Sequence, residues 1–91
     1  MLSPLKNEIL VVAVGRDKPG LVAGVTSMIA EAQGNIEDMD QVVLRDIFIM
    51  SLLVSLPRAI KKKKLESDLI EEGKNIGLRI QVYDRKALEV F

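Results

Sequence analysis

The chain has 91 residues, enough for one domain and too few for two cores. Thirteen basic and thirteen acidic residues cancel to a formal net charge of zero, so no net field draws the chain to nucleic acid or an anionic membrane, and a neutral chain is inclined to self-associate. Cys and His are both absent, which excludes disulfides, Cys/His zinc sites, a cysteine nucleophile and an imidazole base, while 48% apolar content suffices to bury a core.

Ile9 to Val14 is an unbroken apolar run rich in β-branched residues, and it predicts a buried strand stopped by Gly15. Arg16-Asp17-Lys18-Pro19-Gly20 is a turn signal with Pro and Gly adjacent. Leu21, Val22, Val25, Met28, Ile29 and Ala32 then recur at helical spacing, with Gly34 in the position of a C-cap. Gly24 and Ala23 would let that helix approach a neighbour closely. Asn35 to Leu44 predicts a second strand, polar at its start (Glu37, Asp38, Asp40) and apolar at its end. The short Arg45-Asp46 connection returns the chain as an antiparallel strand from Ile47 to Leu56, ended by Pro57. A second helix is expected over about Ile60–Glu72, with Leu65, Leu69 and Ile70 inward and Gly73 at its end. Ile76, Leu78, Ile80 and Val82 alternate with Gly77, Arg79 and Gln81 as a one-sided strand, and Asp84–Phe91 is a tail without a clear period.

The order β-α-β-β-α-β in about ninety residues is the ferredoxin-like arrangement of the α+β class: a four-stranded antiparallel sheet with two helices on one face. Such a sheet should alternate apolar and polar residues. The first and third strands do not. Leu10, Val12 and Val14 oppose Ile9, Val11 and Ala13, while Ile47, Ile49 and Leu53 oppose Phe48, Met50, Leu52 and Val54. With no third helix to cover the second face, self-association to at least a dimer is the expectation.

Val11-Val12-Ala13-Val14-Gly15-Arg16-Asp17-Lys18-Pro19-Gly20-Leu21-Val22 resembles the opening of an ACT domain, in which an apolar first strand runs through a D-x-P-G-type turn into an amphipathic helix. Ala32-Gln33-Gly34-Asn35-Ile36 is similar to that family's G-x-N-I at the start of the second strand. Gln41 to Leu53 resembles the hairpin of the small stand-alone ACT proteins. The likeness covers about residues 8–84, so that residues 1–91 form a single ACT domain with a tail at 85–91. It extends to one half of the tandem arrangement of glycine cleavage repressors. It implies a regulatory module that senses a small molecule, often an amino acid, and works as a dimer or larger assembly.

The turn of Asp17, Lys18, Pro19, Gly20 and Leu21 is the first candidate site. A helix N-terminus offers unpaired N–H groups and the positive end of a dipole to a carboxylate, Gly20 permits close approach, and Asp17 can accept hydrogen bonds from a ligand ammonium. The plainer reading is that Asp17 caps the helix and Pro-Gly turns the chain. Asn35, with Ile36 beside it, is the second candidate. The resemblance implies an amide presented to a ligand across a dimer interface, as in serine-binding members, against a simple Gly-Asn connection. Gly15 stands where some amino-acid-binding members carry His or another polar side chain.

Glu37, Asp38 and Asp40 lack the spacing of a calcium loop and read as a solvated strand end. Lys61–Lys64 runs around most of a helix circumference, is offset by Glu66, Asp68, Glu71 and Glu72, and reads as a solvated helix with i,i+4 pairs. The same topology can bind RNA through stacked aromatics, but the first strand has none and the third only Phe48. An acylphosphatase-like site would want an Arg in a glycine-rich first loop, which Arg16-Asp17-Lys18-Pro19-Gly20 fits poorly, and no serine has a histidine partner. The opening Met-Leu-Ser-Pro-Leu-Lys-Asn-Glu has no leader pattern, and the longest uncharged stretches, Pro19–Ala30 and Ile47–Pro57, are short of the ~20 residues that span a bilayer. The sequence therefore predicts a non-enzymatic, cofactor-free cytoplasmic regulator that binds a small metabolite, with a partner enzyme or regulator as its target and without nucleic acid or membrane; a ligand-free protein–protein adaptor is the alternative.

Overall fold

The computed structural model describes residues 7–90, and the readings of the opening residues and of Phe91 lie outside them. Strand β1 (Asn7–Arg16) leads to helix α1 (Leu21–Glu31), the hairpin β2 (Asn35–Leu44) and β3 (Ile47–Leu56), helix α2 (Lys62–Asn75), strand β4 (Leu78–Asp84) and a 3-10 turn over Arg85–Val90. The sheet is antiparallel in the order β2-β3-β1-β4. The ferredoxin-like expectation is met, and the bounds of β2 and β3 match the sequence reading.

The core lies between the sheet and the two helices. Ile9, Val11 and Ala13 of β1, five residues of β3 from Phe48 to Leu56, and Leu78 and Ile80 of β4 close on Leu21, Val25 and Ile29 of α1 and Leu65 and Leu69 of α2. Burying each such large side chain contributes about 1.5–3 kcal/mol before ordering costs. No polar or charged side chain is buried among the described residues. Ile70, expected inward, is only half-buried on the flank of α2.

Three glycine readings change. Gly15 does not stop β1; it sits within the ladder opposite Phe48 and Leu78, where a Cβ would stand 2.4 Å from the Gly77 carbonyl oxygen. Gly34 is not the left-handed residue after α1. Gln33 takes that role at φ +62°, with the Gln33 N–H donating to the Ala30 carbonyl and the Gly34 N–H to the Ile29 carbonyl, a Schellman closure. Gly34 is small because a Cβ would press on Ile29 and Val54. Gly73 lies inside α2, buried against Ile80, and the helix runs one turn further to a left-handed Gly77 at φ +85°. Ile76 therefore ends the helix rather than starting β4. Gly24 does serve close approach, with Ile76 against it.

Candidate functional site

The β1–α1 turn sits at one end of the sheet, where three connections meet. The Asp17 N–H donates to the Asp46 carbonyl at 2.8 Å, tying the turn to the β2–β3 connection. The Lys18 ammonium reaches over Gly77, so that a Cβ there would lie 3.2 Å from Nζ. Gly20 precedes α1 at φ +90°, a conformation costly for residues with a Cβ, and no side chain caps the helix. Asp17 is thus not the cap, and its exposed carboxylate is left for other partners. Lys18, Pro19 and Gly20 are also exposed, whereas the Leu21 side chain belongs to the core and only its backbone faces the turn. Arg45 adds a left-handed φ of +58° beside Asp46. Motif reading passed over Arg45, Asp46 and Gly77; the two-residue hairpin connection was the available signal.

Asn35 lies at the other end. It pairs with Ser55, while Asp17 is tied to Asp46 at the start of β3, so nine residue steps of about 3.4 Å put the two candidates about 30 Å apart. One chain does not bring them together. The exposed Asn35 amide donates to Glu37 Oε2 at 2.8 Å, and the Ser55 hydroxyl donates to the same oxygen at 2.6 Å, with Glu37 at the irregularity between Ile36 and Asp38. Ile36 faces the helices and packs on the core.

The other charge-bearing groups settle into structural roles. Among the described residues no group of three or more acids could hold a metal ion. Lys64 pairs with Asp68 across one helical turn at 3.1 Å, and Lys62 reaches Asp84 at 2.6 Å. The Lys62 hydrogen bond, helped by the Lys86 N–H, lowers the Asp84 carboxyl below the ordinary carboxylate range. Phe48 is buried under the helices and offers no stacking platform. No helix among the described residues is long and apolar enough to cross a membrane.

The second sheet face is open. Register places Leu10, Val12 and Val14 of β1, Ile47, Ile49 and Leu53 of β3, and Val42 and Leu44 of β2 on it. Val14, Val42, Ile47 and Leu44 remain 38%, 46%, 46% and 55% exposed. A depression of about 330 Å³ lies there between Leu10, Leu53, Ser51, Asp38 and Asp40, and another of about 480 Å³ lies between the helices around Met28, Ala32 and Leu65. Neither includes a residue of the Asp17–Leu21 turn, Asn35 or Ile36.

The sequence signature of the ACT domain matches residues 7–83. The chain belongs to the ACT-domain family. A UPF0237 protein of Methanopyrus kandleri is 43% identical over 74 residues, covering 80% of this chain and 82% of that one. The ACT domain protein from Streptococcus pneumoniae superposes with a TM-score of 0.84 at 31% identity, over 91% of this chain and 94% of that one. A structure described as a candidate glycine cleavage system transcriptional repressor shares the fold, with a TM-score of 0.80 at 24% identity over 88% of this chain and 46% of that one. The resemblance carried by the Asp17–Gly20 turn, Gly34-Asn35-Ile36 and the Gln41–Leu53 hairpin is borne out, and with it the coarse role: an ACT domain is a regulatory, ligand-binding module.

Proposed function

We propose that this ACT domain, with its core at 8–84 and a tail at 85–91, is a cytoplasmic regulator that acts by binding rather than turnover, taking an amino acid at the β1–α1 turn of a homo-oligomer. The observation that carries this reading is the uncapped start of α1 behind a left-handed Gly20, with the exposed Asp17 carboxylate beside it. Helix N–H groups suit the ligand carboxylate and Asp17 suits its ammonium, so a zwitterion is served at both ends. The turn of one chain is not an enclosed pocket, and a second copy would complete it. β2 is an edge strand, and its helix-side residues Met39 and Val43 are left exposed. Antiparallel pairing of two β2 strands centred on Gln41 keeps Asp38 and Asp40 off their counterparts and lays Asn35 alongside the partner's Arg45–Asp46 turn, to which the partner's Asp17 is tied.

The test is calorimetric titration of the protein with the twenty amino acids. One of them should bind, and Asp17→Ala and Asn35→Ala should each weaken it by about 1–3 kcal/mol, the scale of an unsatisfied polar partner. Absence of heat and of thermal stabilisation with every amino acid would instead favour the adaptor reading, which the exposed apolar sheet face supports.

A further inference from the structure

The open face of the sheet is charged asymmetrically. Asp38 and Asp40 stand on the β2 edge, and Arg79 stands on the β4 edge, with Gln81 and Tyr83 following it. Each carboxylate accepts the N–H of the next residue through one oxygen, at 2.9 Å, and none of the three charged groups enters an ion pair among the described residues. Elsewhere the charges pair within the chain: Glu8 on this same face reaches Arg85 at 3.8 Å, and Lys62 and Asp84 pair at the rim of the helix-covered face. An apolar face flanked by unpaired acids on one edge and an unpaired base on the other is complementary to itself.

We propose that this face packs against the same face of a second copy, with the two-fold axis parallel to the strands. That axis lays β2 over the partner's β4 and β3 over the partner's β1, with strand ends kept level. Level by level, Leu53 then meets the partner's Leu10, and Ile49 meets the partner's Val14. Asp38 meets the partner's Tyr83, whose hydroxyl within one chain only reaches Gln81. Asp40 meets the partner's Gln81, one step of about 6.8 Å from the partner's Arg79, a span that an arginine side chain covers. The axis perpendicular to the strands is unfavourable. It lays β2 over β2, setting Asp40 against Asp40 and Asp38 against Val42, so that carboxylates are buried against like charge and aliphatic carbon.

The size fits as well. Three ten-residue strands and one of seven, at about 3.4 Å per residue and about 4.8 Å between strands, make a face of about 600 Å². A pair buries about 1,200 Å², the lower bound for a specific interface. This contact does not depend on a ligand at the β1–α1 turn, and it uses the face rather than the edge of the sheet.

The absence of cysteine makes a covalent test clean. Asp40→Cys and Gln81→Cys are separated by three strand spacings within a chain, about 14 Å, farther apart than the about 10 Å between facing sheets, so a short thiol cross-linker favours the pair between copies. Facing backbones about 10 Å apart are too distant for a direct disulfide, so the double variant is treated with a short bismaleimide, which should give a covalent dimer on denaturing gels several-fold more than with either single variant. Ile49→Glu, in the middle of the face, should halve the mass measured by light scattering while keeping the circular dichroism of the wild type. Arg79→Glu should raise the dissociation constant at least tenfold, and adding Asp40→Lys should recover most of that loss. Cross-linking of the double variant no greater than that of the singles, or an unchanged mass for a folded Ile49→Glu, would overturn the proposal.

Discussion

The two faces of the sheet are made from nearly the same aliphatic residues and meet opposite fates. On β3, Phe48, Met50, Leu52 and Val54 are sealed under the helices, while Ile47, Ile49 and Leu53, alternating with them, face away. Residue type does not separate the two rows. The partner does: α1 and α2 occupy one side, and neither helix covers the other. A strand apolar on both faces is therefore a statement about assembly as much as about folding.

The largest expected effect breaks that comparison directly. Leu52→Ala removes a fully buried side chain from between sheet and helices and should cost about 2–5 kcal/mol in urea unfolding, at any protein concentration. Leu53→Ala, its neighbour on the other face, should leave the unfolding of the isolated subunit within about 1 kcal/mol and act through the assembly, so its effect should grow as the protein is concentrated. Equal, concentration-independent losses would mean that both faces are closed within one chain.

A second comparison opposes two glycines at the ends of the β1–α1 connection. At Gly15 the φ is ordinary but a Cβ would collide with the Gly77 carbonyl at 2.4 Å; at Gly20 there is open space but the φ is +90°. Gly15→Ala must displace backbone and should cost about 1–3 kcal/mol in thermal unfolding, as overpacking does. It should also shift the turn against Gly77 and Lys18. The same contact explains why no polar side chain stands at position 15, where some amino-acid-binding relatives of the fold carry one. Any ligand must be held here without it.

Those glycines also mark where the sequence was legible. Alternation and a two-residue connection were enough to bound β2 and β3, because their signals are local. The helix ends were misread because glycine answers two different needs, a left-handed φ and a lack of volume. Gly34 and Gly73 serve the second, through contacts with Val54 and Ile80 that are remote in sequence, while Gln33 takes the left-handed position that composition would have given to glycine. The candidate site divided in the same way. The turn was readable from Pro19-Gly20, but not that Asp17 leaves the helix start uncapped, nor how far Asp17 stands from Asn35. Ten-residue strands hold the two apart within one chain, a distance set by pairing that no local motif records.

The smallest expected effect sharpens the contrast between the rims of the two faces. Asp84 lies on the helix side of β4, opposite Ile9, and its pair with Lys62 ties α2 to the sheet edge. The bond to Lys62 favours the ionised carboxyl, so its pKa in the folded protein is below that of the unfolded chain. The stability it contributes is therefore present above the ordinary carboxylate range of about 4 and is lost as the pH falls through the lowered folded value. With the Asp84 side chain 43% exposed, solvent screens most of the attraction, and an exposed pair of this kind contributes about 0.2–1 kcal/mol. Asp84→Asn should lower unfolding stability by that amount at neutral pH, and the difference should disappear in acid, at every protein concentration. Arg79→Gln, on the opposite rim, has no ion-pair partner to lose among the described residues. Its effect should be confined to self-association and should fade with dilution, whereas a concentration-independent loss matching that of Asp84→Asn would place its partner inside the subunit.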